Sequence, residues 1–298
     1  MLVKIKLAIV CLSVAVLSAC GGGGGGGSSS VNPYAEPLLI TPSNYAGVAT
    51  DTIAGANGTS NASLLGSNLV GAQISESGSF GLKRVALSTA TTLLNNWVVF
   101  NKPTLVGAVT QNSGPCTGGG TVSASVSDSD NSGTPTAGDR LDATFDSCSE
   151  NGLLINGSLS ITINSYSGNL FNSGTASLTM EFNNITAGGE SINGNMSIIL
   201  NQSSVTSFSV ALTMPKITLT SNGNNINFTN LIMNTAVNGS SSTFRMSGNV
   251  SSSKYGGSVD ISTPTIMAID SANRVTGTIF MAGKNGTKIR ILGQGTTS

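Results

Sequence analysis

Apolar residues alternate with Ser, Thr and Asn through residues 153–292, and this period of two is the feature that most constrains the fold. Successive side chains of a β-strand point to opposite faces, so the alternation predicts strands with one apolar and one polar face. Asn-Gly pairs interrupt the pattern and favour tight turns, because both residues tolerate positive φ. The pairs lie at 156–157, 193–194, 222–223, 238–239 and 285–286. The segment therefore predicts about ten strands in an antiparallel up-and-down meander.

A sheet with one apolar face must hide that face from water. We expect the meander to curl into a barrel-like or sandwich arrangement. Residues 79–97 place apolar side chains at three- and four-residue steps, which predicts one amphipathic helix packed on the sheet. Trp97 is interpreted as a core residue beside this helix, with a ligand-stacking role as the alternative. The fold class predicted is mainly β.

The first 20 residues have the organisation of an export signal. Lys4 and Lys6 precede an apolar run that is too short to cross a membrane of about 30 Å as a helix. The segment 17–20, Leu-Ser-Ala-Cys, resembles the lipobox of bacterial lipoproteins. That resemblance implies a signal peptide over residues 1–19, with Cys20 lipidated and exposed as the new N-terminus. The alternative is an ordinary secretory signal with a chance cysteine.

Seven glycines and three serines follow Cys20 and predict a flexible tether over residues 20–30. Gly21, rather than Asp, follows the lipidated position, and the resemblance implies sorting to the outer membrane, facing either the periplasm or the cell surface. Three acyl chains would anchor the protein stably. Residues 31–298 are predicted to form a single β-rich domain. Its parts are a mixed segment 31–115, a hairpin 116–148 and the meander 153–292.

The composition excludes several functional classes. The net charge is zero and 9% of residues are charged, so no basic field favours nucleic acid. The chain has no histidine, which removes a Ser-His-Asp triad, a Cys-His pair and His-ligated zinc or haem. It also contains no phosphate-binding loop and no Gly-x-Ser-x-Gly motif.

Two cysteines remain in the exported domain, Cys116 and Cys148, and an even pair in such a domain predicts a disulfide. Residues 122–126 and 141–145 alternate as two strands around an acidic loop. If Asp128 faces Asp139 across this hairpin, the cysteines fall nearly opposite each other at its feet. A disulfide that closes a loop of this length would stabilise the fold by about 3–4 kcal/mol.

Six of the thirteen acidic residues lie between Asp128 and Glu150. The spacing in the hairpin loop resembles the calcium loops of EF-hand and dockerin-type proteins, with Gly133 at the turn position. Asp replaces the usual final Glu and Pro135 replaces an apolar residue, so only the loop chemistry is shared. The alternative is a solvated acidic turn. The candidate ligands of a calcium cofactor are Asp128, Asp130, Ser132, Thr134 through its carbonyl, and Asp139, with Thr136 adding a hydroxyl or a water.

The other acids suggest no reaction. A carboxylate pair for glycoside hydrolysis could be drawn from Asp142, Asp146 or Glu150, but exposed strand acids beside a turn are the preferred interpretation. We expect no catalytic residues and no enzymatic activity, although an enzyme using carboxylates is a third alternative.

Two functional hypotheses remain. The chain resembles β-rich lipoproteins of proteobacteria, and this resemblance supplies no activity. The first hypothesis is a non-enzymatic outer-membrane lipoprotein, a structural or interaction module held to the membrane by its lipid. The second is a carrier that binds a lipid or amphipathic ligand in a curled-sheet cavity. The residues expected to line such a cavity are Met180, Met196, Phe208, Met214 and Phe228.

Overall fold

A computed structural model describes residues 36–49, 52, 109–116, 118–150, 153–169, 173–204, 206–221, 223–272 and 274–294. Within these ranges the chain forms one twelve-stranded antiparallel sheet, in which the spatial order of the strands follows their order in the sequence. The predicted mainly β meander is therefore confirmed. The strands are β1 Val109–Pro115, β2 Thr121–Ser127, β3 Arg140–Glu150, β4 Leu153–Asn169, β5 Ser173–Ala187, β6 Glu190–Ser204, β7 Ser207–Ser221, β8 Asn224–Asn238, β9 Ser241–Ser252, β10 Gly257–Ile269, β11 Val275–Ala282 and β12 Lys288–Gln294.

Up-and-down topology gives the sheet two distinct ends. The connections after odd-numbered strands lie at one end, which we call the strap end, and those after even-numbered strands lie at the other, the loop end. The acidic segment 128–139 connects β2 to β3 and belongs to the loop end. The two ends are separated by the length of the strands, on the order of 40–50 Å of chain for 12–15 residues.

One face of the sheet is buried throughout, as the alternation predicts. In β5 the side chains from Gly174 to Phe182 are buried at every second position. The same apolar series continues in the neighbouring strands and forms one core cluster. Burial of this face is the main favourable term in folding, at about 25 cal/mol per Å² of apolar surface.

A line of β-bulges crosses the sheet, close to the strap end in β3 to β6 and nearer the middle of the strands in β7 and β8, and we call it the bulge line. In β5 both Phe182 and Ile185 are buried, because the extra residue at 183–184 returns the apolar face to the core side. Bulges bend a strand and increase its twist, so this line bends the whole sheet. Its positive-φ members are Ser147, Gly157, Asn184, Gly194, Asn230, Gly248 and Gly277.

Two Asn-Gly pairs do not form the hairpin turns predicted for them. The pairs at 156–157 and 193–194 lie inside β4 and β6, on the bulge line. Gly157 has φ +106° and Gly194 has φ +123°, and a Cβ at either position would contact a backbone carbonyl of the adjacent bulged strand. The glycines are required there because the neighbouring backbone approaches closely, and no chain reversal is involved. The pairs at 222–223, 238–239 and 285–286 do connect strands.

Strand β7 runs through Pro215, which lies in a bulge between Thr213 and Lys216. Of the barrel-like and sandwich arrangements expected, barrel closure is wrong: among the described strands β1 and β12 do not pair, so the sheet is open. The amphipathic helix at 79–97 and Trp97 lie outside the described residues. No helix in the described part of the chain is long and apolar enough to cross a membrane.

Residues 36–49 form a strap across the strap end of the sheet. The Leu38 N–H donates to the carbonyl of Ser258 at 2.8 Å, and the Ser258 N–H donates to the carbonyl of Glu36 at 3.0 Å. The Lys284 N–H donates to the Leu38 carbonyl at 2.7 Å, which ties the strap to the β11–β12 connection as well. A short helix at 45–49 follows and buries Val48. The chain that leads from the N-terminus therefore joins the sheet at the strap end.

Candidate functional site

The predicted hairpin and disulfide are present. β2 and β3 pair from Thr121–Asp146 to Ser127–Arg140, which is the register expected when Asp128 faces Asp139. Cys116 and Cys148 are bonded, with their Cα atoms 5.4 Å apart, and both are buried. Cys116 lies in the β1–β2 connection rather than on β2, so the disulfide joins that connection to β3 at the strap end.

A three-glycine turn holds the first bulge beside the disulfide. The Gly118 N–H donates to the carbonyl of Ser149 at 2.8 Å, and the Ser149 N–H returns a bond of 2.8 Å to Gly119. The Cys116 N–H donates to Gly120 at 3.1 Å. A Cβ on Gly120 would contact the backbone of Ser147, so the turn packs directly on the bulge. The disulfide and this turn together stabilise the strap-end edge of β3.

The acidic loop at the opposite end is organised by two buried carboxylates. Asp139 is 0% exposed, and its Oδ1 accepts the Ser129 N–H at 2.8 Å. Its Oδ2 accepts the Thr136 N–H at 2.7 Å. Asp128 is 6% exposed and accepts the Gly133 N–H at 2.8 Å. Buried carboxylates need such donors, because an unpaired charge is costly in a low-dielectric environment.

Asp130 is the exposed member of the loop. Its Oδ1 accepts the Ser132 N–H at 3.0 Å. The Ser132 side chain, and next the Ser132 N–H, hold the pKa of Asp130 below its ordinary value. The carboxylate is therefore ionised in neutral solution. Its contribution to stability is present above the unfolded-state pKa and is lost as the pH falls through the lower folded-state pKa.

Three of the five predicted calcium ligands converge. One carboxylate oxygen each from Asp128, Asp130 and Asp139 lies within 4.8 Å of the others. Ser132 and Thr134 are directed at each other instead, since the Ser132 hydroxyl donates to the Thr134 carbonyl at 2.9 Å. Three hard oxygen ligands suit Ca²⁺ or Mg²⁺ rather than a soft metal.

The loop is also tied to β4, which the sequence did not indicate. The Gly138 N–H donates to the carbonyl of Ile163 at 2.8 Å, and the Ile163 N–H donates to the carbonyl of Asp139 at 2.9 Å. Ile163 is 1% exposed, so these bonds join the loop backbone to the core of the sheet. No local motif could have revealed this contact, because it joins residues about 25 positions apart through β3–β4 pairing.

Two of the carboxylates considered for glycoside hydrolysis, Asp142 and Asp146, lie on the outer side of β3, where Asp142 is half-buried and Asp146 is exposed. The Arg140 Nε donates to both oxygens of Asp142 at 2.9 Å. Partial burial tends to raise the pKa of Asp142, but the bonds from Arg140 and Ser160 outweigh burial and hold it below its ordinary value. Asp142 and Asp146 are four strand residues apart, about 13 Å, which exceeds both glycosidase spacings. The Asp142–Asp146 pair does not have the geometry of that reaction.

No protein-family model, curated protein or solved structure matches this chain. The protein is therefore characterised by its structural features alone. These are an open antiparallel meander, a disulfide at one end of the sheet and a loop with three carboxylates at the other end.

Proposed function

We propose that this protein is an outer-membrane lipoprotein that acts as a non-enzymatic structural or interaction module of the cell envelope. Cys20 carries the lipid, residues 21–30 form the tether, and the β-domain is held near the membrane at its strap end. The bent sheet is proposed to enclose its own apolar face in a sandwich-like arrangement.

The filled apolar face is the observation that favours a module over a carrier. Met180, Met214 and Phe228 are no more than 1% exposed and Met196 is 5% exposed, all within one core cluster. Beneath the strap, a pocket of about 10 Å³ is lined by Leu38, Val48, Tyr255 and strand residues, and by none of the proposed carrier residues. That volume holds one water at most, whereas ligand sites usually occupy several hundred Å³.

Replacing Cys20 tests the anchor directly. We expect the Cys20→Ser variant to lose palmitate labelling and to move from the membrane fraction to the soluble fraction, because no acyl chain can attach. Cys11→Ser is the matched control, since Cys11 lies within the signal segment and should leave labelling unchanged. Palmitate labelling of the Cys20→Ser variant at the wild-type level would contradict the proposal.

Native mass spectrometry of the protein from its host distinguishes a module from a carrier. A filled core predicts a mass equal to the acylated chain alone. A retained lipid, released by mild denaturation and present in a constant ratio to protein, would support the carrier instead.

The convergent carboxylates support a second proposed function, Ca²⁺ binding by the loop at 128–139. Asp128, Asp130 and Asp139 would bind the ion, and Ser132 and Thr134 would complete the set only if their mutual hydrogen bond broke. Affinity in the range of extracellular modules, about 0.1–1 mM, is expected for three carboxylates.

Calorimetry and thermal melting test this second proposal. At about 10 mM Ca²⁺ such affinity should stabilise the fold by about 1.4–2.7 kcal/mol, raising Tm by several degrees. Asp130→Asn should abolish the shift while preserving the fold, because Asp130 is exposed. Asp260→Asn is the control, since Asp260 lies outside the cluster and accepts a hydrogen bond from Asn249 instead. An identical Ca²⁺ response in wild type and Asp130→Asn would refute this site.

A further inference from the structure

The exposed lysines of the strap end surround the place where the chain arrives from the N-terminus. Lys254 lies in the β9–β10 turn, Lys284 in the β11–β12 connection, and Lys288 at the start of β12, and all three are exposed. We call these three side chains the lysine surface. The strap is hydrogen-bonded to Ser258, which follows the β9–β10 turn, and to the Lys284 N–H in the β11–β12 connection. The three cations therefore lie around the strap.

The tether that the sequence predicts would bring this surface close to the lipid. Fifteen residues separate Cys20 from Glu36. If they behave as the flexible tether that their Gly- and Ser-rich beginning predicts, they reach on the order of 20 Å. A surface tethered at that distance has a high effective concentration at the membrane. Even a weak attraction between the surface and the lipid is then sufficient for binding.

The charges differ between the lysine surface and the loop end. Glu36 is the acidic residue on the strap beside the lysine surface, and Asp260 lies nearby on the outer sheet face, bonded to Asn249. The other strap-end acids, Glu150 and Glu190, lie on β3 and β6, away from the β9–β12 side that carries the lysines. The loop end carries the three carboxylates of the acidic loop together with Asp270; Arg274 pairs with Asp270, and Arg140 pairs with Asp142. An anionic membrane would attract the β9–β12 side of the strap end and repel the loop end.

We propose that the lysine surface binds anionic lipid headgroups of the membrane that holds the acyl anchor. The protein then stands with its strap end on the lipid and presents the acidic loop away from it. This inference rests on the proposed lipid anchor, and it adds an orientation and a second contact. A lysine close to an anionic surface contributes about fivefold to binding, so three lysines form a weak contact that is effective only beside an anchor.

Lysine footprinting of the acylated full-length mature protein tests this. The protein is reconstituted in phosphatidylcholine vesicles, or in vesicles where part of that lipid is replaced by phosphatidylglycerol. Acetylation of each lysine is then followed by mass spectrometry. We expect Lys254, Lys284 and Lys288 to react about fivefold more slowly on the anionic vesicles. The protection should disappear at high salt, where the Debye length falls to about 3 Å at 1 M.

Lys216 is the internal control. It is exposed on the outer face of β7, five residues from the strap end, or about 16 Å along the strand, which exceeds a Debye length of about 8–10 Å. Its reactivity should be equal on both vesicles. In the double variant Lys284→Gln/Lys288→Gln the protection of Lys254 should fall, whereas Lys216→Gln should leave it unchanged.

Vesicle flotation separates the two proposals. A protein that fails to float with either vesicle contradicts the lipid anchor itself. A protein that floats with both, while its three lysines react equally on both, overturns the lysine surface and leaves the anchor intact. Equal protection on both vesicles, insensitive to salt, also overturns it, because the contact would then not be electrostatic.

Discussion

Gly194→Ala is expected to lower the free energy of unfolding by about 3–4 kcal/mol. Gly194 has φ +123°, a conformation that costs a residue with a side chain about 1–3 kcal/mol. The new methyl group would also contact the carbonyl of Lys216 and approach the Cα of Ile217 at 3.0 Å, which adds overpacking of about 1–3 kcal/mol. Equilibrium unfolding in urea, monitored by circular dichroism, measures the loss.

Gly223→Ala is the matched control. Gly223 also has positive φ, at +74°, but a Cβ there meets nothing within 4 Å. Only conformational strain applies, so we expect a loss of about 1–2 kcal/mol. Equal losses at the two positions would show that close backbone approach on the bulge line contributes nothing, and would contradict the explanation given for Gly194.

Removing the disulfide is the second large change. The double variant Cys116→Ala/Cys148→Ala is expected to lose about 3–4 kcal/mol, because the bond closes a loop with a sequence separation of 32. Both cysteines are buried, so lost packing adds to the effect of loop closure. Unfolding with and without a reductant measures the contribution of the bond.

Reduction itself provides the control for packing. Dithiothreitol should lower the unfolding midpoint of the wild type towards that of the double variant and should leave the variant unchanged. If the fully reduced wild type is as stable as the oxidised protein, the bond adds no stability, and the buried sulfur atoms act only as core side chains.

Local patterns predicted much of the fold. Val122, Ala124 and Val126 alternate and form β2, and Leu141, Ala143 and Phe145 form the paired part of β3 in the expected register. The pairing of Cys116 with Cys148 followed from the same arithmetic. Each of these features depends on residues close in sequence or on a single hairpin. The tie between Asp139 and Ile163 depends on a third strand, and it was not predicted.

The candidate site was predicted in composition but not in geometry. Spacing alone selected five ligands, and the structure brings together Asp128, Asp130 and Asp139 while Ser132 and Thr134 bond to each other. A hydroxyl close to a backbone carbonyl can donate a local hydrogen bond to it, and the spacing of residues in the sequence does not show which partner the hydroxyl takes.

The alternating strands, their apolar face, the cysteine pair and the acidic loop follow from short-range periods and spacings that can be read in the amino-acid sequence. The positions at which the strands bend depend on contacts with neighbouring strands and become visible only in the folded sheet. Asn-Gly at 193–194 lies within β6, whereas Asn-Gly at 238–239 connects β8 to β9. Both use positive φ, and only the strand alongside determines whether that conformation reverses the chain or bends it. The same long-range pairing places the strap and the lysine surface at one end and the acidic loop at the other.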